Sequence, residues 1–355
     1  MSRRLTLLLL GVLTPLAVLP ALADTSSWVM ETTEVPKPRK GKPVKIAPSE
    51  TFAKPAPSSA VRPNESGLAK SLVTPTCDEA AYIAFDQGQY LTAKKLAEEA
   101  AARGDPQAHT LLGRLYAEGL GVSKDSQAAV KWYARADELG DVQGTFALGV
   151  LYAEGRGVKK DRPKSAELFE KAARTGHLLA NYNLGLLFLK GDGKPQNPYR
   201  AAMHIRYAAE KGIAVAQYDL AGLYQNGSGV EPSALEASRW LSKAAEQGMA
   251  EAQFEYAVVL LRGLGLTKDE PKAVPYLRSA AQKGLAAAQN RLAYVFAEGV
   301  GVKKSEEEAA KWRLIAQAGG LKDETLDALV SKLPKAKQMA AQQAASEWRE
   351  KAGMF

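Results

Sequence analysis

The side chains that most often carry chemistry are sparse in this chain of 355 residues. Its three histidines, His109, His177 and His204, are far apart in sequence and form no HExxH zinc motif. Cys77 is the only cysteine, so the chain offers no second thiolate for a metal site or an internal disulfide. Its thiol is free, forms a bridge to another molecule, or is simply a small residue before a helix. We predict no metal centre, and we expect the histidines to serve packing or surface roles.

The sequence also lacks the motifs of nucleophilic and phosphate chemistry. Neither Ser-x-x-Lys nor Gly-x-Ser-x-Gly occurs, so a hydrolase nucleophile has no candidate. Gly-x-Gly pairs are frequent, but none belongs to the Gly-Lys-Ser or Gly-Lys-Thr motif of a phosphate-binding loop. The acids Glu306, Glu307 and Glu308 stand at the start of a predicted helix, where negative charge suits the helix dipole. We therefore predict no catalytic, cofactor-binding or metal-binding residues, and no enzymatic activity.

The elements that carry these residues repeat with a fixed period. Glycines recur in register every 36 residues and delimit six full copies over residues 105–320: Gly104, Gly140, Gly176, Gly212, Gly248, Gly284 and Gly320. Self-similarity at such a period indicates a solenoid, because each unit buries its apolar side only by stacking on its neighbours. The sequence therefore predicts an elongated helical scaffold.

Each copy contains the pattern of two helices joined by a hairpin. The fourth, eighth, eleventh and twelfth places are small or apolar and share one face of a first helix. The ninth place is always Gly or Ala, as in Gly113 and Ala221, so we expect the helices to approach closely. A Gly-x-Gly pair such as Gly155/Gly157 ends the first helix, because glycine readily adopts the left-handed conformation. The second helix carries a large anchor, usually aromatic, such as Trp240.

The repeated pattern Ala-x-x-x-Leu-Gly-x-Leu-Tyr-x-x-Gly-x-Gly-Val, with a second helix ending Ala-Ala-x-x-Gly, resembles the Sel-one-like (SLR) repeat. That family is related to the tetratricopeptide repeat but has a longer hairpin. The resemblance covers residues 105–320 and implies an all-α fold, a right-handed α-α superhelical solenoid of 36-residue helix-hairpin repeats. It further implies a non-enzymatic protein that binds other proteins, often in bacterial envelopes. Some exported members pin each hairpin with a disulfide, and the single Cys77 departs from them.

The first 76 residues differ from the repeats in composition. Residues 1–23 resemble an export signal, with Arg3, Arg4, an apolar run and a small-residue box that predicts cleavage after Ala23. The run is shorter than the ~20 residues that span a bilayer. We therefore expect a periplasmic protein without a transmembrane segment after cleavage. Residues 24–76 hold eight prolines and many lysines, which predicts a disordered tether. Its positive charge either keeps the tether extended or contacts an anionic surface such as phospholipid head groups.

Shorter helical segments close both ends of the predicted array. Residues 77–104 predict an N-terminal capping helix pair, and residues 321–355 predict C-terminal capping helices. Between residues 77 and 320 there are 31 basic and 29 acidic side chains. This near neutrality, together with the predicted export, argues against a nucleic-acid partner.

The feature most like a binding site is a stripe on the first helices. The third, sixth, tenth and thirteenth places lie opposite the core face, and the sixth place is aromatic in four consecutive copies. Such a stripe either grips an extended peptide or a partner helix, or packs between neighbouring copies. The candidate partner-binding residues are Phe146, Tyr182, Leu186, Leu189, Tyr218, Phe254, Val258 and Leu261.

Three classes of function remain. The sequence favours a non-enzymatic interaction scaffold or adaptor of the periplasm or cell envelope. It would bind a protein or peptide on the concave face of the solenoid and regulate a sensor or an envelope enzyme. The alternative is an envelope-structural spacer whose basic tether contacts membrane or cell wall. A hydrolase of peptidoglycan or β-lactams is least favoured, because no nucleophile is present.

Overall fold

The computed structural model describes residues 77–353, so the predicted export signal and tether lie outside the described residues. The described part contains sixteen α-helices and no strands. It divides into two compact units, residues 77–144 and residues 145–353. In chain order the helices are α1 (Cys77–Asp86), α2 (Tyr90–Ala102), α3 (Pro106–Glu118), α4 (Ser126–Glu138), α5 (Val142–Glu154), α6 (Arg162–Arg174), α7 (Leu178–Lys190), α8 (Pro198–Glu210), α9 (Ala214–Asn226), α10 (Ala234–Glu246), α11 (Ala250–Arg262), α12 (Glu270–Gln282), α13 (Ala286–Glu298), α14 (Glu306–Ala318), α15 (Glu324–Ser331) and α16 (Lys335–Lys351).

Helices α3 to α14 form the six predicted copies, two helices to a copy. Successive first helices begin 36 residues apart, at Pro106, Val142, Leu178, Ala214, Ala250 and Ala286. Each first or second helix has 13 residues, so the hairpin and the turn also keep constant lengths. The prediction of an all-α solenoid of 36-residue helix-hairpin repeats is confirmed. None of the helices in the described range is both long and apolar enough to cross a bilayer.

The two helices of a copy pack closely because the ninth place is small. A Cβ added at Gly113 would lie 2.6 Å from the ring of Tyr133, and one at Gly185 would lie 2.7 Å from Ile205. Both partners occupy the 29th place of the same copy, on the second helix. The missing side chain of the first helix therefore makes room for a large side chain of the second.

Second helices begin at a side-chain cap in every copy. The residue at the 21st place accepts a hydrogen bond from a backbone N–H two or three residues later: Asp125, Asp161, Asn197, Ser233, Asp269 and Ser305. These caps satisfy N–H groups that have no partner within the helix. The start of each second helix is thus encoded locally.

In four copies the second glycine of the hairpin contacts the preceding copy, at Gly193, Gly229, Gly265 and Gly301. Gly229 and Gly265 have φ angles of 70° and 73°, which favour glycine. A Cβ on Gly229 would overlap the carbonyl of Pro198, and one on Gly265 would overlap the carbonyl of Ala234. Pro198 and Ala234 begin the second helices of the preceding copies, so these hairpins lie directly against the backbone of the copy before them.

Buried amides tie successive copies together. Nε2 of Gln217 donates to the carbonyl of Ala209 at 3.1 Å, and Nε2 of Gln253 donates to the carbonyl of Ala245 at 3.1 Å. Both glutamines occupy the fifth place of a first helix, and both acceptors lie near the end of the preceding second helix. Because these bonds are buried, losing one would leave an unpaired polar group in the core.

Candidate partner-binding face

The first helices of copies three to six carry most of the predicted stripe and several charged residues beside it. We call this surface the first-helix face. It is defined by Tyr182, Leu186, Leu189, Lys190, Tyr218, Asp219, Phe254, Glu255, Val258, Leu261, Arg262 and Arg291.

The eight residues predicted from sequence divide into two groups by exposure. Phe146, Tyr182, Tyr218 and Val258 are buried, with 1%, 3%, 4% and 8% of their surface exposed. Leu186, Leu189, Phe254 and Leu261 are half-buried and pack against the core. The buried side chains present almost no area, so the half-buried group is the one that a partner can reach. Partner binding by these eight residues stays a prediction.

Phe146, at the start of the stripe, is a packing residue. Its ring stacks on His177 with 4.5 Å between centroids and lies 5.7 Å from the ring of Phe169. Both neighbours belong to the same unit of the chain. Phe146 therefore packs between helices, which is one of the two roles that the sequence allowed for the stripe.

Two tyrosine–carboxylate pairs link successive first helices. The hydroxyl of Tyr182 donates to Oδ2 of Asp219 at 2.8 Å, and that of Tyr218 donates to Oε1 of Glu255 at 2.6 Å. In both pairs the acid lies 37 residues after the tyrosine, at the seventh place of the next copy. The stripe thus holds α7 to α9 and α9 to α11 through polar contacts.

The carboxyl groups of these pairs have raised pKa values, which favours their protonated, uncharged form. Burial raises the pKa of Asp219 to about 6, against the opposing effects of the Tyr182 hydrogen bond and of Lys190. Burial also raises the pKa of Glu255 to about 6, opposed by the hydrogen bond from Tyr218. Burial, together with the adjacent carboxylates, raises the pKa of both tyrosines above the ordinary range. Near neutral pH Asp219 and Glu255 are therefore mostly ionised although they are buried, and removing these charges from water costs free energy.

Arginines lie at the other end of the face. Burial lowers the pKa of Arg262, and burial followed by the nearby Arg262 lowers that of Arg291. Within residues 77–353, no ion pair to either guanidinium is present. On α11, the apolar Val258 and Leu261 separate the acidic Glu255 from the basic Arg262.

Each of the three histidines forms a hydrogen-bond contact within the fold. Nδ1 of His204 lies 2.9 Å from Oδ1 of Asn181, and Nδ1 of His109 lies 2.7 Å from the carbonyl oxygen of Asp105. His177 caps the start of α7 with its ring nitrogen. In the part of the chain that the structure describes, no group of three or more His, Cys, Asp or Glu side chains is placed to hold a metal ion.

Asp219, Glu255, Arg262 and Arg291 were missed by reasoning from the sequence. A signal for the two acids exists, because each follows a stripe tyrosine by 37 residues. For the arginines no comparable pattern is present. Their position beside the leucines depends on how α11 and α13 stack.

The repeats and the fold have known relatives. The model of the Sel1 repeat matches six consecutive segments, residues 106–141, 142–177, 178–213, 214–249, 250–285 and 286–313. No curated protein matches the chain.

Two solved structures resemble this one over most of its length. A protective antigen of uropathogenic Escherichia coli strains, which displays an SLR fold, is 32% identical with a TM-score of 0.65. The match covers 78% of this chain and 61% of the antigen, so the chain spans less than two thirds of that protein. A Sel1 repeat protein from Oxalobacter formigenes is 28% identical with a TM-score of 0.61, and the match covers 71% of this chain and 99% of that one. Since the repeat matches span more than half of the sequence, the chain belongs to the Sel1 repeat family.

Proposed function

We propose that this protein is a non-enzymatic interaction scaffold of the bacterial periplasm or cell envelope. In this proposal the first-helix face of copies three to five binds an extended segment of a protein partner. Sel1 repeat proteins are generally protein–protein interaction scaffolds, which supports the general role. The export signal predicted for residues 1–23 supports the location.

The observation that carries the proposal is the order of side chains along α11. Glu255, Leu261 and Arg262 place an acid, an apolar side chain and a base on one helix face, with the buried Val258 between them. Leu261 is half-buried and has apolar surface left for a partner. Leu186 and Leu189 supply an apolar strip on α7, two copies earlier.

An extended peptide suits this arrangement. Its apolar side chains would contact the leucines, while its polar groups would meet Arg262 on one side and Glu255 on the other. One oxygen of Glu255, Oε2, is buried without a hydrogen-bond partner. Since this atom has almost no accessible surface, Glu255 would contribute negative charge to the face and not a free acceptor.

Photo-crosslinking in cells tests the proposal. A photoreactive amino acid replaces Leu189 or Leu261 in the full chain, expressed with its own N-terminal segment, and adducts are identified after irradiation. Matched controls carry the same group at Lys131 or Glu307, which are exposed on second helices. We expect one protein to be captured at both test positions and at neither control. Equal capture at all four positions, or none at the test positions, would contradict the proposal.

A charge variant separates binding from folding. Arg262→Glu should weaken capture at Leu261 at least several-fold, while the helical circular-dichroism signal stays unchanged because Arg262 forms no ion pair with the described residues. Undiminished capture would show that the basic end of the face plays no part. Fractionation of the same cells tests the location, since release of the protein with periplasmic contents is the expected result.

A further inference from the structure

The second helix of copy three has an apolar stripe on its outward side. Tyr199, Met203 and Tyr207 follow one another at intervals of four residues on α8 and are 66%, 55% and 37% exposed. Leu235, which holds the place of Tyr199 in copy four, is 41% exposed. We call these four residues the outer stripe. The other large apolar side chains with comparable exposure in residues 77–353 lie on the terminal helices α1, α2 and α16.

Stacking of the copies does not require this stripe. The corresponding three places are Gln127, Lys131 and Arg135 in copy one, and Pro163, Glu167 and Lys171 in copy two. Copy four has Arg239 and Lys243 at the second and third of them. Charged residues thus serve equally well in the fold, and clustered exposed apolar residues mark an interaction surface.

The size of the outer stripe favours a short segment over a second copy of the chain. An aromatic side chain has about 150–250 Å² in all, so the four residues together expose roughly 400 Å² at the fractions observed. A stable dimer needs about 800 Å² from each partner. The stripe provides about half of that area, which suits a few side chains of a peptide.

The charge around the outer stripe favours an acidic segment. The guanidinium of Arg200 stacks on the ring of Phe188 at 4.7 Å, and the ammonium of Lys243 lies 3.8 Å from the ring of Trp240. Among the described residues, no carboxylate pairs with either cation. Neither positive charge is therefore neutralised by an ion pair within the described residues.

One segment of the same chain has the complementary composition. Trp28, Val29 and Met30 are the only run of three large apolar residues within residues 24–76. Asp24, Glu31 and Glu34 surround them, and the first basic residue after Ala23 is Lys37. Extended at ~3.1 Å per residue, residues 31–76 reach over about 140 Å, which spans many helix diameters. Attachment to the same chain would also make the docking intramolecular, so that it does not depend on the protein concentration.

We propose that the outer stripe is the docking site of residues 24–36 of this chain. Trp28 and Met30 would cover Met203 and the two tyrosines, and the acids would face Arg200 and Lys243. The docked segment would occupy a second helix and leave the first-helix face open. The chain would then have two separate binding surfaces, one for its own N-terminal segment and one for a partner.

Intramolecular crosslinking tests the docking directly. A photoreactive amino acid replaces Met203 in the full chain, and the matched control carries it at Lys311, the same place in copy six. After irradiation of the purified protein, we expect a crosslink from position 203 to the peptide containing residues 24–36, and none from position 311. The double variant Trp28→Ser/Met30→Ser should abolish it without affecting the folded repeats. A crosslink only between two copies, a crosslink of equal yield at position 311, or none at 203 would overturn the proposal.

Binding in trans provides a second measure. A synthetic peptide of residues 24–36 is added to the full chain that carries Trp28→Ser/Met30→Ser, so its own segment no longer competes. We expect saturable binding that weakens at least tenfold in Met203→Lys and also with rising salt. The substitution Leu189→Asp on the first-helix face should leave it unchanged. Affinity that is unaffected by Met203→Lys, or lost in Leu189→Asp, would place the segment elsewhere and contradict the proposal.

Discussion

Arg313 and Asp327 form a two-pronged ion pair that joins the last full copy to the C-terminal helices. Nε of Arg313 donates to Oδ1 of Asp327 at 2.6 Å, and Nη2 donates to Oδ2 at 2.9 Å. Nη1 donates to Asn290 and to the carbonyl of Leu321. Arg313 is only 1% exposed. The same place of the repeat is apolar in the other five copies, where it holds Tyr133, Phe169, Ile205, Leu241 and Leu277. A charged residue thus occupies an apolar position in the one copy that has α15 beside it.

Removing one member of this pair should loosen the C-terminal end. Asp327→Ala leaves a buried guanidinium with less compensation, so we expect the free energy of unfolding to fall by about 3 kcal/mol. Replacing both residues, Arg313→Leu/Asp327→Leu, should restore most of the loss, because an apolar pair needs no compensation. Urea unfolding followed by circular dichroism measures both. Arg174→Ala, which breaks an exposed pair with Glu170, should cost at most about 1 kcal/mol. A double variant no better than Asp327→Ala would contradict this account.

Glycines with positive φ should differ in their tolerance of substitution according to what lies next to them. Gly212 and Gly229 both have positive φ, 94° and 70°, but nothing lies near an added Cβ at Gly212. Gly212→Ala should therefore cost about 1 kcal/mol from backbone strain alone. Gly229→Ala adds an overlap with the backbone of Pro198 and should cost about 3 kcal/mol. Thermal or urea unfolding of the two variants measures the difference, and equal losses would exclude a contact between copies at Gly229.

Replacing Phe146, at the start of the stripe, with tyrosine should supply a hydrogen-bond donor that Asn183 lacks. Asn183 is fully buried, and both atoms of its side-chain amide lack a hydrogen-bond partner. It holds the same place relative to Phe146 as Asp219 does to Tyr182. Phe146→Tyr should therefore supply a donor and raise the free energy of unfolding by about 1 kcal/mol.

A double-mutant cycle checks the cause of that gain. Asn183→Leu removes the unpaired amide, so in this background Phe146→Tyr would bury a hydroxyl without its intended acceptor. The expected gain should then disappear or change sign. If Phe146→Tyr stabilises both backgrounds equally, the hydroxyl does not reach Asn183.

The buried acid of the stripe should make stability depend on pH. Folding raises the pKa of Asp219 from 3.8 to about 6, so the folded chain holds a proton that the unfolded chain has already lost. The stabilisation from this group is complete below about pH 4 and is lost as pH rises through about 6. Asp219→Asn removes the cost of the buried charge and still accepts the hydrogen bond of Tyr182. Because each pKa unit corresponds to about 1.4 kcal/mol, the variant should gain up to about 3 kcal/mol at neutral pH.

Urea unfolding at about pH 5 and about pH 7.5 tests this expectation. The gain in Asp219→Asn should be larger at the higher pH. Glu231→Gln, at an exposed position, serves as the control for the loss of one negative charge. A variant that is less stable than the parent at the higher pH would show that the carboxylate of Asp219 is stabilising there.

Much of the first-helix face could be located from the sequence, but the accessibility of its residues could not. The wheel of three- and four-residue spacings grouped Tyr182, Leu186 and Leu189 on one side of α7. It did not reveal that Tyr182 is 3% exposed while Leu186 and Leu189 keep free surface. Exposure depends on the side chain that the next copy places opposite, here Asp219, which is 37 residues away.

The sequence alone determined the period of 36 residues, the two helices of each copy and the small ninth place. These features follow from local patterns, because helix spacing, glycine conformation and side-chain caps act within a few residues of each other. Only the tertiary structure decided that Tyr218 reaches Glu255, that Arg313 pairs with Asp327, and that Met203 stays 55% exposed. Those relationships depend on how each helix sits against the next, which no single copy of the repeat specifies.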